Sequence, residues 1–190
     1  MDGILSGFGL AGAAGLNAYI PLLLLGVAGR LGYADLNAPY DLLGSNIGLG
    51  VLVVLLVIEV LADKFPGVDH VNDVINTVIR PAAGAALFLS SNDAGTLNPV
   101  LAGLFGLLMA GGVHATKATA RPFVTATTGG LGNPVVSFLE DLLSLFGALL
   151  AIFAPFFVGI FLLLLVIFIV VMLRRRQKRR MATRNGYAIG

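Results

Sequence analysis

The stretch FFVGIFLLLLVIFIVVMLRRRQKRR, residues 156–180, decides what kind of protein this is. Residues 156–173 carry no charge at all, and a helix needs about 20 such residues to cross the hydrocarbon core of a bilayer. The RRRQKRR run that follows (174–180) has the form of a stop-transfer signal held by anionic lipid on the cytoplasmic face. The rest of the chain agrees. Of its 190 residues 57% are hydrophobic and 12% charged, against roughly 25% charged in a soluble domain. So few polar side chains cannot cover a globule of this size in water. The composition predicts an all-α, polytopic transmembrane bundle and excludes a soluble enzyme or nucleic-acid module.

The net charge of +2 hides a division. Residues 1–173, the expected transmembrane domain, hold all ten acidic residues and five basic ones. The expected cytoplasmic tail, 174–190, holds seven basic residues and no acid. The basic pI thus belongs to a membrane anchor and implies no nucleic-acid partner. There is no cysteine, so thiol chemistry and disulfides are absent. MDGILSGFG lacks a basic segment and a small-residue cleavage motif, which predicts a retained first span and not a cleaved signal.

Working back from the tail, apolar runs suggest six spans: 4–29 (interrupted by Asn17 and Pro21), 46–62, 69–91, 99–116, 135–153 and 156–173. Residues 69–91 read either as one span kinked at Pro81 or as an interfacial helix plus a re-entrant piece, and the kinked span is the preferred reading. Lys64, Arg80, Lys117 and Arg121 then share the cytoplasmic side with the tail, which predicts an inner-membrane protein with both termini in the cytoplasm. The segments around 33–45 and 90–98 fall outside.

Ionisable groups inside a bilayer cost roughly 2.5–3.5 kcal/mol each, so they need partners, a wet cavity or a purpose. Here they form two groups. Glu59, Asp63, Lys64, Asp69, His70, Asp73 and Arg80 make one; His114, Lys117, Arg121, Glu140 and Asp141 make the other. Asp69, Asp73, Asn76 and Arg80 follow helical spacing and share a face, as do His114, Lys117 and Arg121. Glu59 and Asp63 are one helical turn apart, a pair whose mutual repulsion suits a proton relay. The competing reading neutralises them as ion pairs with Lys64, Arg80 or Arg121.

After Arg121 comes PFVTATTGGLGNP (122–134), which reads as irregular backbone. Gly129, Gly130, Gly132 and Asn133 would let backbone amides approach an anionic group beside Lys117 and Arg121; the plainer reading is an ordinary turn. The hard and borderline ligands at 69, 70, 73, 114, 140 and 141 show no metal-site spacing, and no metal or cofactor is expected. Ser137 and Ser144 lack a nucleophile-elbow context, and Glu140 and Asp141 are adjacent and point apart on a helix, so no enzyme is expected either. In AGLNAYIPLLL, Asn17 can hydrogen-bond a neighbouring helix and Pro21 frees the Asn17 carbonyl. The choice there lies between polar glue and a discontinuous helix at a substrate site.

GLNAYIPLLLLG (15–26), IEVLADKFPGVDHVNDVINTVIRPAAG (58–84) and GGVHATKATARPFVTATTGGLGNPVVSFLED (111–141) resemble a bacterial integral-membrane family catalogued as domain of unknown function 4126. The resemblance runs over nearly the whole chain and stops before the basic tail. It implies a polytopic membrane protein and carries no reaction, substrate, cofactor or site residue. From the residues themselves, the expected function is a small carrier or flippase with a charged cytoplasm-facing cavity, proton-coupled through Glu59 and Asp63. Its partners would be membrane lipids and a small solute or lipid headgroup, and a homo-oligomer is compatible with this reading. The alternative is a structural or accessory membrane subunit whose charged face docks a partner.

Overall fold

The computed structural model describes residues 3–36, 38–62, 68–92 and 96–186, the side chains of 68–71, 73 and 176–186 apart. Among the described residues every regular element is helical: α1 (Gly3–Leu16), α2 (Tyr19–Arg30), α3 (Asn46–Ala62), α4 (Val68–Ser91), α5 (Pro99–Thr128), α6 (Asn133–Phe153) and α7 (Pro155–Gly186), with one 3-10 segment at Tyr40–Gly44. Asn-Pro, Asn-Pro and Ala-Pro open α5, α6 and α7, with proline in the first turn, where a missing N–H has no helical partner to lose. At the start of α5 the Asn98 side chain also caps, accepting from Val100 N at 2.9 Å.

The side chains are distributed as bilayer solvation demands. Large apolar residues face outward, among them Ile167 and Phe168 of α7 and Phe138 and Phe146 of α6. The interior is lined with alanine, glycine and serine: Ala11, Ala14, Ala102, Ala110, Ala148 and Ala151 are fully enclosed. In lipid there is no gain in hiding a leucine, so helices associate through small residues that let backbones approach. The central element is α1, GILSGFGLAGAAGL, which packs against α4, α5 and α6. The tightest crossing joins α4 to α5: a Cβ on Gly106 would lie 2.2 Å from the Gly84 carbonyl oxygen.

Four of these helices are long and apolar enough to cross a membrane, within α4, α5, α6 and α7; α1, α2 and α3 are shorter. This is a membrane-embedded helical bundle. The six-span count is not reproduced, and the clearest departure is the first span. Residues 4–29 do not form one continuous helix. The chain breaks at Asn17–Ala18 and reverses. Gly9 lies against Ala151 of α6, and Ser144 reaches the Ala13 carbonyl, so α1 runs antiparallel to α6. Tyr33, just beyond α2, packs edge-on against Phe153 at the end of α6, so α2 runs back alongside it. The pair is a helix hairpin. Its arms have 14 and 12 residues, about 21 and 18 Å of helix, somewhat more than half of a hydrocarbon core about 30 Å thick.

Both open ends of the hairpin lie where α4 and α6 finish, here called the near end: Ser6, Tyr33, Ser91 and Ile152 line one cavity there. The start of α1 and the end of α4 therefore share an end, whereas a single first span would have set them on opposite sides. Residues 68–91, by contrast, form one helix with Pro81 inside it, as the kinked-span reading expects. The stretch 122–134 differs from its irregular reading. Helix α5 continues through Pro122 to Thr128, and Gly129, with φ of 62°, supplies the left-handed cap that ends it. Threonines explain the continuation: Thr125, Thr127 and Thr128 return their hydroxyls to carbonyls one turn back and leave no free polar group for a loop to satisfy. Helix α7 starts at the near end against Gly9 and Leu5 and remains helical to Gly186, through the basic tail.

Candidate functional site

Helix α3 is apolar and outward-facing along most of its length, and its two buried residues are Leu52 and Glu59. A carboxylate at that position needs a cation, and α4 supplies one. Arg80, with no exposed side-chain surface, donates from Nη2 to Glu59 Oε1 at 3.0 Å. Asn76, one turn earlier on the same face, donates from Nδ2 to the same oxygen at 3.2 Å. From α5, His114 receives the second arm of the guanidinium, Arg80 Nη1 to His114 Nδ1, at 3.1 Å. A guanidinium only donates, so Nδ1 accepts and the ring proton sits on Nε2. From there it is donated to Thr77 Oγ1 at 3.2 Å. Glu59, Arg80, His114 and Thr77 thus form one relay drawn from α3, α4 and α5.

A second group lies beside it. Lys117 Nζ meets Glu140 Oε2 of α6 at 2.7 Å and donates to the Leu16 carbonyl, the C-terminal end of α1, at 3.3 Å. Arg121 stands 3.8 Å from the same Glu140 oxygen and donates to Ser137 Oγ at 2.8 Å. Adjacent Asp141 points elsewhere, as helical geometry requires, and accepts from Asn17 Nδ2 at 2.8 Å. The Asn17 side-chain oxygen accepts from the amides of Tyr19 and Ile20, which caps α2. Ser144 hydroxyl bridges the Ala13 carbonyl, which also accepts from Asn17 N, and the Asn17 carbonyl, which loses its helical donor because Pro21 has no N–H. The hairpin tip is therefore held by Lys117, Asp141 and Ser144.

Depth follows from helix rise. Glu59 lies 13 residues into α3 from Asn46, Arg80 lies 11 before Ser91 and His114 lies 15 after Pro99; at 1.5 Å per residue these are about 20, 16 and 22 Å from the near end. All three therefore lie well along their helices from that end, by about 15 Å or more. The Lys117 and Arg121 pairs lie one and two turns further. Between this polar half and the near end is an apolar layer that includes Leu10, Ala14, Leu25 and Leu87.

The stripe of His114, Lys117 and Arg121 is buried along its whole length, and Glu59 and Arg80 of the first group meet the second through the Arg80–His114 bond. They meet as hydrogen-bonded pairs. The near-end cavity, about 110 Å³, is lined by other residues. Gly129, Gly130 and Gly132 form the turn between α5 and α6, with Asn133 bonded to Thr125; the cationic ends of Lys117 and Arg121 are turned to Glu140, not to this turn. Asp63, Lys64 and the side chains of Asp69, His70 and Asp73 lie outside the described residues. Among the described residues no three His, Asp or Glu side chains gather as a metal site. Sequence reading passed over Thr77 and Ser144. Thr77 precedes Arg80 by three but stands at an exposed position of α4, so no burial pattern marks it; Ser144 was not findable either, because its partners are carbonyls of the distant α1–α2 break.

Neither a curated protein nor a solved structure matches the chain. The match of residues 4–175 to a single family covers every element just described up to the start of the tail, hairpin and charge relay included. The chain belongs to the family described as domain of unknown function DUF4126.

Proposed function

We propose that this protein is a small membrane carrier or flippase, moving a solute or lipid headgroup with proton coupling. The observation that carries the reading is the Glu59–Arg80–His114–Thr77 relay packed beside a helix hairpin that ends mid-bilayer. Non-helical backbone at that depth is tolerated where protein buries it or a passage runs beside it, and ionisable groups there mark substrate and proton paths by default. Broken helices also present a carbonyl end and an amide end at one point, which is how discontinuous helices hold ions and charged groups. Here Leu16 O faces Lys117 and the α2 amides face Asn17. Glu59 is the relay carboxylate, His114 the group able to exchange its ring proton, and Lys117 and Arg121 the cations released to an anionic group when Glu140 turns away. With the basic tail in the cytoplasm, α4 to α7 cross and the α1–α2 hairpin re-enters from outside, which sets its open end opposite the tail.

The test is flux through the full chain in proteoliposomes, with protons read by an internal pH dye and lipid movement by fluorescent phospholipid and an external quencher. Wild-type protein is expected to move at least one of the two, and Glu59→Gln to cut that flux about tenfold or more while it still elutes as a folded species. Wild-type vesicles as tight as empty ones would overturn the reading. A structural role has its own support, because the charges are paired at 2.7–3.0 Å in Lys117–Glu140 and Arg80–Glu59. It predicts that Glu59→Gln abolishes assembly and leaves no folded protein to assay.

A further inference from the structure

The near-end cavity lies outside the relay, and its chemistry is unlike the relay's. Polar atoms come from Ser6 of α1, Ser90 and Ser91 of α4, and Tyr33 and Asp35 beyond α2, and the floor is Leu10, Leu25 and Ile152. Ser6 is 1% exposed, and among the described residues its hydroxyl finds no hydrogen-bond partner. Leaving a buried hydroxyl unsatisfied costs about 1–3 kcal/mol, and a bound ligand would satisfy it. The other groups say what kind. Ser90 and Ser91 both donate to the Leu87 carbonyl at 2.9 Å, which commits their protons and leaves their lone pairs on offer. Asp35 can only accept. Of the helices that line the cavity, α4 ends on it at Ser90 and Ser91, so carbonyl ends and not amide ends carry these two hydroxyls. Arg30, the basic residue nearest in sequence, is engaged by Asn46 of α3.

A site rich in acceptors, negative at its mouth and apolar at its floor selects a ligand that donates several hydrogen bonds, carries positive charge and ends in a short alkyl stem. We infer that the near-end cavity binds a primary ammonium group, with Asp35 and the Ser6, Ser90 and Ser91 hydroxyls around the nitrogen. The Leu10–Leu25–Ile152 floor takes the first carbons. A free alkylamine and an ethanolamine headgroup of a phospholipid share this chemistry. The inference does not rest on the transport reading, since equilibrium binding holds whether or not anything is moved.

The experiment is calorimetric titration of the full chain in phosphatidylcholine nanodiscs with propylammonium, against tetramethylammonium, 1-propanol and sodium as comparators. Propylammonium is expected to bind and the other three to bind at least about tenfold more weakly, because each lacks the charge, the N–H donors or the stem. Asp35→Asn, at an exposed position, should weaken propylammonium about tenfold, and Ser6→Ala about threefold. A parallel titration in discs containing phosphatidylethanolamine separates the two sources. A raised apparent Kd there assigns the site to the lipid headgroup, and an unchanged one assigns it to free amines. No heat from propylammonium, equal binding of tetramethylammonium or sodium, or an Asp35→Asn variant that binds like wild type would each overturn the inference.

Discussion

Pro21 and Pro81 each stand inside an apolar stretch long enough to span a bilayer, and each follows a polar residue by four positions, Asn17 and Thr77. At the first the chain breaks and turns back; at the second the helix runs on. Proline alone does not decide between these outcomes. The difference lies in what the preceding polar residue does. The Asn17 carboxamide accepts from the Tyr19 and Ile20 amides and so begins a new helix, in which Pro21 falls in the first turn, where its missing N–H is no loss. The Thr77 hydroxyl meets His114 on α5, and among the described residues no side chain caps a new helix start beside Pro81. Helix α4 is further pinned by Arg80 and Asn76 to Glu59 and, one turn on, by the Gly84–Gly106 crossing. A break needs a cap beside the proline and partners for the carbonyls it frees.

Substitutions along the two segments can break this contrast or sharpen it. The largest effect is expected on α4: Arg80→Met leaves the Glu59 carboxylate buried without its guanidinium and should cost about 3–5 kcal/mol in a denaturing-detergent titration. Adding Glu59→Met to that variant should return much of the loss, because an apolar pair needs no desolvation; no recovery would mean that the ion pair does not anchor the helix. Next comes the crossing. Gly106→Ala sets a methyl against the Gly84 carbonyl and should destabilise by about 1–3 kcal/mol, read in the same titration. At the hairpin, Asn17→Leu removes the α2 cap and the tie to Asp141. A loss of about 1–2 kcal/mol is expected, with faster hydrogen exchange at the Tyr19 and Ile20 amides; unchanged exchange would show that the cap does not hold the break. The smallest effect belongs to Pro21→Ala, which should shift stability by less than about 0.5 kcal/mol and leave the hairpin closed. Were Pro21 the cause of the break, that variant would straighten the segment and shield the Tyr19 amide.

Much of this molecule is legible residue by residue. The run 156–173 and the outward-facing leucines and phenylalanines of α5–α7 announce lipid as solvent, and the Asn-Pro and Ala-Pro pairs mark where α5, α6 and α7 begin. Helical spacing set His114, Lys117 and Arg121 on one face, and they are buried there together. Adjacency alone separated Glu140 from Asp141, which serve Lys117 and Asn17 respectively. The 122–128 stretch misled because threonine and proline read as loop formers in water, whereas inside an apolar bundle threonine hydroxyls return to their own helix.

Composition, periodicity and punctuation are local properties, and they were enough to establish a helical membrane bundle with charged residues gathered on particular helix faces. Which charge meets which, and the return of α1 by way of α2 where one crossing was expected, depended on distant partners. Ser144 and Asp141 of α6 and Lys117 of α5 supply the donors and acceptors that a mid-bilayer break requires. No window of sequence around Asn17 contains them. In lipid an unsatisfied backbone group has no water to turn to, so only the assembled bundle could decide that this helix stops.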